Sequence, residues 1–354
     1  MIDAEYVLPL RWSDDAGRDE LVGYLGELSR WIPVLVVDGS ERALFDRLAV
    51  ALPPAVRHMA PEPWPGGNGK VAGVVTGLRH ARAERVVIAD DDVRYTEDAL
   101  ARVVQLLDQA ETVRPANYFE PRPWHARWDT SRSLLNRALG SDYPGTLAVR
   151  RSLLLTAGGY AGDVLFENLE LLRTVRAAGG RERRADDLFV RRMPPTVRHF
   201  LGQRVRQAYD DFAQPPRLIA ELSILPLVML AVLARRPRFV AAGVLGLVVL
   251  AELGRRRGRG TRVFPATSAL WLPLWLGERG LCVWLALGAR LRGGVRYSGG
   301  RLLRAATPRR ELRRRVAASL AGGGIPAAPA PDATGSASPQ SPRLVAEAAE
   351  GEPT

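Results

Sequence analysis

Three consecutive carboxylates, Asp90, Asp91 and Asp92, follow the apolar run Arg85–Ala89 and precede Tyr95-Thr-Glu-Asp-Ala-Leu100. Adjacent negative charges repel one another, so a cation is expected to compensate them, and an oxygen-only donor set suits Mg2+ or Mn2+. A metal held there would bridge phosphate oxygens and neutralise a leaving diphosphate. The competing reading is a solvated acidic turn that caps the helix beginning near Thr96. Upstream, Gly66-Gly-Asn-Gly-Lys70 is a glycine-rich loop running into a helical pattern that reaches Leu78. Exposed amides, a helix N-terminus and a lysine together attract phosphate. The spacing is not that of a phosphate loop ending in Gly-Lys-Ser or Gly-Lys-Thr, and the alternative is a flexible loop with a surface lysine. Lys70 is, however, the only lysine in a chain that otherwise writes its basic residues as arginine. That contrast favours a phosphate-facing role.

These groups can converge only if strand ends bring them together. Tyr6–Leu10, Val34–Val37 and Arg85–Ala89 are short aliphatic or β-branched runs. Apolar residues recur at helical spacing over Asp19–Trp31 and Gly69–Ala83, and Thr96–Leu107 opens with a Thr cap and acidic residues. The alternation predicts an α/β domain over residues 1–215 with a largely parallel sheet, whose ligands bind at the carboxyl ends of its strands.

From Arg217 the composition changes. Leu218–Ala234, Phe239–Leu253 and Val263–Ala289 are rich in Leu, Val, Ala and Trp, and residues 216–290 are read as a hydrophobic membrane module. The first two stretches are shorter than the roughly 20 residues a span needs, and they carry Glu221 and Glu252. Two short spans in a hairpin and a pair of interfacial helices are both open. Glu278, Arg279 and the tryptophans of the third stretch suggest a span or a helix lying partly in the interface. Residues 291–320 form a basic juxtamembrane segment. The Ala-, Pro-, Gly- and Ser-rich residues 321–354 are expected to be a disordered tail.

The formal charge of +12 is concentrated beside and after the apolar segments, which fits an anionic lipid surface and not nucleic acid. Cys282 is the only cysteine, which excludes a disulfide framework and a thiolate zinc site. Met1–Pro9 lacks a positive segment followed by an apolar one, so the chain is expected to begin in the cytoplasm. The arginines at 255–262 and 290–315 favour the same side, giving a cell-membrane protein with its catalytic domain cytoplasmic; Arg235, Arg236 and Arg238 count mildly against it.

The ordered set of motifs resembles the family 2 glycosyltransferases, especially the membrane-associated ceramide glucosyltransferase-like and hopanoid-modifying branches. The resemblance rests on Val34-Leu-Val-Val-Asp-Gly-Ser40, Gly69-Lys70 with Gly77-Leu78, Asp90–Asp92, Gly145-Thr-Leu-Ala-Val-Arg-Arg151, Gly158-Gly-Tyr160, Phe166-Glu-Asn-Leu-Glu-Leu171, Gln203-Arg-Val-Arg206 and Gly293–Arg301. It implies a GT-A fold with a Rossmann-like mixed sheet and inverting, metal-dependent transfer from a nucleoside diphosphate sugar, a UDP-sugar being favoured. The acceptor would be a lipid or lipid-linked hydroxyl. Asp38 would lie near the nucleobase, and Lys70, Asp90 and Asp91 near the nucleotide. Asp90 and Asp92 match the ends of the Asp-x-Asp motif that holds metal, and Gln203 and Arg206 match the Gln-x-x-Arg-Trp motif. Two positions depart from the pattern. Asn168 stands where the family has the second acid of a Glu-Asp pair, so Glu167, or Glu170 one turn on, must act as base. Gln207 replaces the tryptophan. These departures motivate one alternative, a degenerate transferase fold serving as a membrane scaffold or nucleotide-sugar sensor. A phosphosugar or nucleotidyl transferase using the same carboxylates is another.

Overall fold

Period-two alternation of buried residues organises the N-terminal half. Tyr6, Leu8, Val34, Val36, Val87 and Ala89 pack into one core layer, while Val7, Leu35, Val37, Val86 and Ile88 pack into the other. A sheet covered on both faces needs such continuous apolar strands, and each fully buried Val or Leu contributes roughly 1.5–3 kcal/mol. The computed structural model of the chain describes residues 1–297 and 300–328.

The chain begins β1 (Glu5–Leu10), α1 (Arg18–Leu28), β2 (Val34–Asp38), α2 (Arg42–Ala51), β3 (Val56–Met59), α3 (Gly69–His80) and β4 (Arg85–Ala89). It continues β5 (Val93–Arg94), α4 (Glu97–Gln105), β6 (Thr112–Phe119), α5 (Trp124–Leu139), β7 (Thr146–Arg150), α6 (Arg151–Thr156), α7 (Glu167–Ala177) and β8 (Glu182–Arg192). Two short helices follow, α8 (Val197–Gly202) and α9 (Arg204–Tyr209), and then three long ones, α10 (Pro215–Leu233), α11 (Pro237–Arg256) and α12 (Leu272–Leu291). A hairpin of β9 (Val295–Tyr297) and β10 (Gly300–Leu302) precedes α13 (Arg309–Ala321).

The main sheet has the order β3-β2-β1-β4-β7-β6-β8-β5. Strands β1 to β4 pair in parallel, whereas β7 runs antiparallel to β4 and β6, and β5 antiparallel to β8. The largely parallel pattern read from periodicity therefore holds for the first half only, and the whole sheet is mixed. The chain reverses direction across the sheet at β1, which leaves a crevice at the carboxyl ends of β1 and β4. Helix α3 lies so close over β1 that a Cβ on Gly77 would come 2.3 Å from Val7 Cγ1. That contact fixes the start of α3, and with it Lys70, over the crevice.

Helices α10, α11 and α12 are 19, 20 and 20 residues long, so the first two exceed the stretches read from composition. Pro215 and Pro237 open them at the first helical position. All three segments are long and apolar enough to cross a membrane. They differ in what covers them: the apolar windows of α10 and α11 are 6% and 11% buried, that of α12 is 39% buried. Ile219, Leu227, Leu233, Leu245 and Leu253 are exposed. Helix α12 packs on α9 and α5. Its Trp275 is buried in a cluster with Leu134, Ala251 and Phe264.

Every acidic residue inside these stretches has a cationic partner, and the side chains of Glu221 and Glu278 are also buried. Glu221 is buried against Arg217 and Arg279, Glu278 against Arg204, and Glu252 pairs with Arg255 and Arg256. Of the basic segment 291–320, the last part forms α13, which packs on α7 through Leu312 and Val316. From the expected tail, Ile325 packs into the core and its N–H donates to Leu155 O. The remainder, from 329, lies outside the described residues.

Candidate active site

Asp90 to Asp92 leave the end of β4 at this crevice and line a cavity of about 540 Å³. Asp90 N–H donates to Gly145 O at 2.8 Å, and Gly145 N–H donates to Asn117 Oδ1 at 2.9 Å, so the turn is held by β7 and β6. A Cβ on Gly145 would sit 2.7 Å from Asp90 Oδ2 and 3.2 Å from Arg192 Cζ. Gly145→Ala is therefore expected to push Asp90 aside and lower kcat/KM roughly tenfold, about 1.4 kcal/mol of transition-state stabilisation. Steady-state kinetics check this, and an unchanged thermal midpoint would separate it from a folding defect.

Lys70 reaches the cluster from the first turn of α3. Its Nζ lies 2.5 Å from Asp90 Oδ1 and 2.6 Å from Glu167 Oε1, joining two motifs far apart in sequence. Burial disfavours the ammonium, but Asp90 and Glu167 outweigh it and hold the Lys70 pKa above its ordinary value. The loop before it is fixed by buried Asn68, which accepts from Lys70 N–H and donates to Val164 O at 2.9 Å.

Arg192, at the end of β8, grips Asp92 with Nε at 3.0 Å from both oxygens and Nη2 at 2.5 Å from Oδ2. The antiparallel register that sets Arg192 opposite Val93 creates this pair. Arg192 Nη2 is also 4.0 Å from Asp90 Oδ2. Burial, Asp90 and Asp91 nevertheless leave the Asp92 pKa raised against the opposing pull of Arg192. Asp91 accepts from Trp12 Nε1 at 2.7 Å. The compensation expected from a cation thus comes in part from the protein itself.

The remaining expected residues divide. Glu167, Gln203 and Arg206 line the same cavity as the carboxylates. Arg206 stacks on the Tyr297 ring at 5.6 Å and forms no ion pair with a carboxylate among the described residues. Gln203 lies against His199. Asp38 does not line the cavity. It is buried at the end of β2, where it accepts from Ser40 N–H at 2.8 Å and contacts His58 Nε2 at 3.2 Å. Burial raises its pKa, but those hydrogen bonds overcome it and leave the value lowered. Glu170 is also buried elsewhere and accepts from Thr307 N–H. Asn168 donates from Nδ2 to Pro144 O at 3.1 Å, a bond an ionised carboxylate could not make. Gln207 accepts from Arg204 at 2.6 Å.

Arg192, Tyr297 and Asp210 also line the cavity, and the sequence does not mark them as site residues. Arg192 carries no local signal, because only strand register brings it to Asp92. Tyr297 belongs to the Gly293–Arg301 motif and donates to Asn68 Oδ1 at 3.1 Å. Asp210 lies three residues beyond Gln207, and its Oδ1 is shielded from solvent without a partner among the described residues. Burial, then Asp211 and Glu167, push its pKa well above the ordinary value, against Arg206 and Arg279. Trp124 and Trp128 pack their rings against Phe200.

A divalent cation fits this donor chemistry. The carboxylates offer hard oxygens, and Mg2+ is commonly held by one or two of them plus substrate phosphates. Among the described residues no group of three or more ligating side chains forms a ready-made cage. A metal at Asp92 would compete with Arg192 for its oxygens.

The mixed α/β sheet, with acidic and basic groups facing one another at its switch point, is that of a GT-A-like domain. The chain belongs to glycosyltransferase family 2: the family model described as "Glycosyltransferase like family 2" matches residues 29–209. No curated protein matches the chain. Among solved structures, it is similar to the mannosyltransferase PcManGT from Pyrobaculum calidifontis in complex with GDP-Man and Mn2+, at 18% identity and a TM-score of 0.42. That match covers 91% of this chain and 86% of the other. Glucosyl-3-phosphoglycerate synthase from Mycobacterium tuberculosis, in complex with Mn2+, UDP and phosphoglyceric acid, matches at 16% identity and a TM-score of 0.37. There 52% of this chain and 68% of the other are covered.

Proposed function

We propose that the cavity binds a nucleoside diphosphate sugar and that the enzyme transfers the sugar, with inversion, to a lipid or lipid-linked hydroxyl at the cytoplasmic face of the membrane. The observation that carries this reading is the bridge from Lys70 to both Asp90 and Glu167, which unites the phosphate-binding loop, the acidic cluster and the proposed base at one cavity. The acceptor oxygen attacks the anomeric carbon, Glu167 takes its proton, and the bond to the diphosphate breaks with its electrons on the leaving oxygen. Arg206, free of carboxylate partners among the described residues, stabilises that charge bidentately, with Gln203 beside it. Mg2+ or Mn2+ bound by Asp90 and Asp92 would supply further charge neutralisation. Asp91 and Lys70 contribute to holding the nucleotide.

The donor favoured is a UDP-sugar and the branch favoured is the ceramide glucosyltransferase-like and hopanoid-modifying one. Asp38 supports the nucleobase end through the strand it terminates. Exposed apolar surface on α10 and α11 supports membrane association. Five arginines at the base of that hairpin, Arg255, Arg256, Arg257, Arg259 and Arg262, against three at its tip, support a cytoplasmic catalytic domain. Confinement to the bilayer raises the effective concentration of a lipid acceptor. Incubating the purified protein with UDP-sugars, Mn2+ and a membrane lipid extract tests the proposal. Release of nucleoside diphosphate that requires the extract is expected. Donor binding without any release would favour a nucleotide-sugar sensor, and release of pyrophosphate a nucleotidyl transferase.

A second assignment of the base is favoured by Asp210, whose unpartnered carboxylate shares the cavity with a Glu167 already committed to Lys70. A base must be ionised, so a raised Asp210 pKa predicts that kcat climbs with pH through that elevated value. If Asp210 is the base, Asp210→Asn lowers kcat by about 10²–10⁴ and abolishes the rising limb, while Glu167→Gln keeps it. The reverse pattern assigns the proton to Glu167.

A further inference from the structure

A second cavity, of about 860 Å³, opens between α7, the first turn of α10, the last turn of α12 and the segment before α13. Its lining carries Arg173, Arg176, Arg217, Arg290, Arg304 and Arg309 and not one aspartate or glutamate. The contrast with the active-site cavity, where acids and bases alternate, is complete. Arg176, Arg217 and Arg304 are neutralised from outside the lining by Glu182, by Asp211 and Glu221, and by Glu311. Arg173, Arg290 and Arg309 have no carboxylate partner among the described residues. Arg173 spends one donor on Ala213 O at 2.7 Å, and Arg290 spends one on Leu303 O at 3.1 Å while stacking on Phe212 at 4.8 Å. Burial, then the neighbouring Arg309, push the Arg173 pKa below its usual range, against the opposing pull of Glu170.

Guanidinium groups left with free donors in a concave site recognise multi-oxygen anions, and a phosphate gives three of them an oxygen each. Apart from Tyr143, Gln214 and Thr307, the rest of the lining is apolar, with Leu169, Phe212, Pro215 and Leu303 among it. The cavity also lies where α10 and α12 end, at the foot of exposed apolar surface that includes Ile219 and Leu291. A head that is anionic and a body that is apolar are both accommodated there. We infer that this cavity binds the phosphate headgroup of an anionic amphiphile, whose chain lies along α10. The inference rests on the membrane-association reading above. Tyr143, Gln214 and Arg217 line both cavities, so the headgroup site adjoins the donor site.

Calorimetric titration of the full chain in neutral maltoside micelles tests this with dihexanoyl phosphatidic acid, dihexanoyl phosphatidylcholine and inorganic phosphate as probes. Saturable one-to-one binding of the phosphatidic acid is expected, with both other probes at least tenfold weaker. Arg173→Gln combined with Arg309→Gln should weaken it at least tenfold; Arg309→Glu, at an exposed position, should do the same if the double variant does not fold. Undiminished binding in a folded variant overturns the site. Equal binding of inorganic phosphate overturns the amphiphile, and equal binding of phosphatidylcholine overturns charge recognition. Flotation of the wild-type chain with phosphatidylcholine vesicles reads membrane association by itself. Flotation without phosphatidic acid binding removes this site alone, whereas absence of flotation removes the reading beneath it.

Discussion

Lys70→Met is expected to lower kcat/KM by about 10²–10³, the cost of removing one preorganised charge from a site that stabilises a leaving group. The ammonium sits 2.5 Å and 2.6 Å from two carboxylates that would otherwise face each other. Methionine keeps the stem and its packing while deleting the charge, so Asp90 and Glu167 repel and neither holds its position. The incoming diphosphate, itself anionic, then meets a cavity with one cation fewer. Loss should appear in donor binding as well as in turnover. A donor at 100 times its dissociation constant stabilises the wild type by about 2.7 kcal/mol, and most of that thermal shift should vanish in the variant. Lys70→Arg restores charge with a broader, planar head and should recover only part of the activity, since one point charge serving two carboxylates is not a fork geometry. A Lys70→Met enzyme within threefold of wild type would remove Lys70 from the site and with it the bridge on which the functional reading stands.

The residues around that bridge show which features a sequence exposes. The strand read at Arg85–Ala89 is the strand found, and the helix read from Gly69 starts there, because buried strands and amphipathic helices write their periods into contiguous residues. Thr96 caps α4 as its type and position suggested. The carboxylates at the end of β4 were legible for the same local reason. The direction of β7 was not, since pairing partners are set by tertiary packing, and Arg192 was invisible because it reaches Asp92 only through that long-range register. Asp210 was missed because an acid beside a second acid reads as a solvated turn until its burial is known. Glu221, Glu252, Glu278 and Arg279 looked like obstacles to membrane insertion. Composition could not tell that each has a partner of opposite charge, on its own helix for Glu252 and in the buried interior for Glu221, Glu278 and Arg279.

That last group leads to the largest expected effect on stability. Arg279 in α12 is 1% exposed, and its Nη1 lies 3.1 Å from Asp211 Oδ2 and 3.6 Å from Glu221 Oε2. Arg217 Nε, 2.9 Å from Asp211 and 3.0 Å from Glu221, is the other cation of the set. Two acids and two bases thus balance where α10 and α12 meet the segment that follows α9. Arg279→Leu leaves two buried carboxylates sharing one guanidinium, and breaking such a buried set costs about 3–5 kcal/mol. Urea unfolding in micelles, followed by tryptophan fluorescence that includes buried Trp275 beside Arg279, measures the loss. Replacing Glu221 by Met in the same chain should return part of it, because an apolar pair of similar volume removes the stranded charge along with the partner it lost. A loss below 1 kcal/mol for Arg279→Leu would mean that water reaches the site and screens it. In that event the coupling between α10, α12 and the catalytic domain rests on apolar packing alone. If instead the loss is large and Glu221→Met rescues it, the charges inside the hydrophobic module are what fix its helices to the residues that carry Arg206 and Asp210.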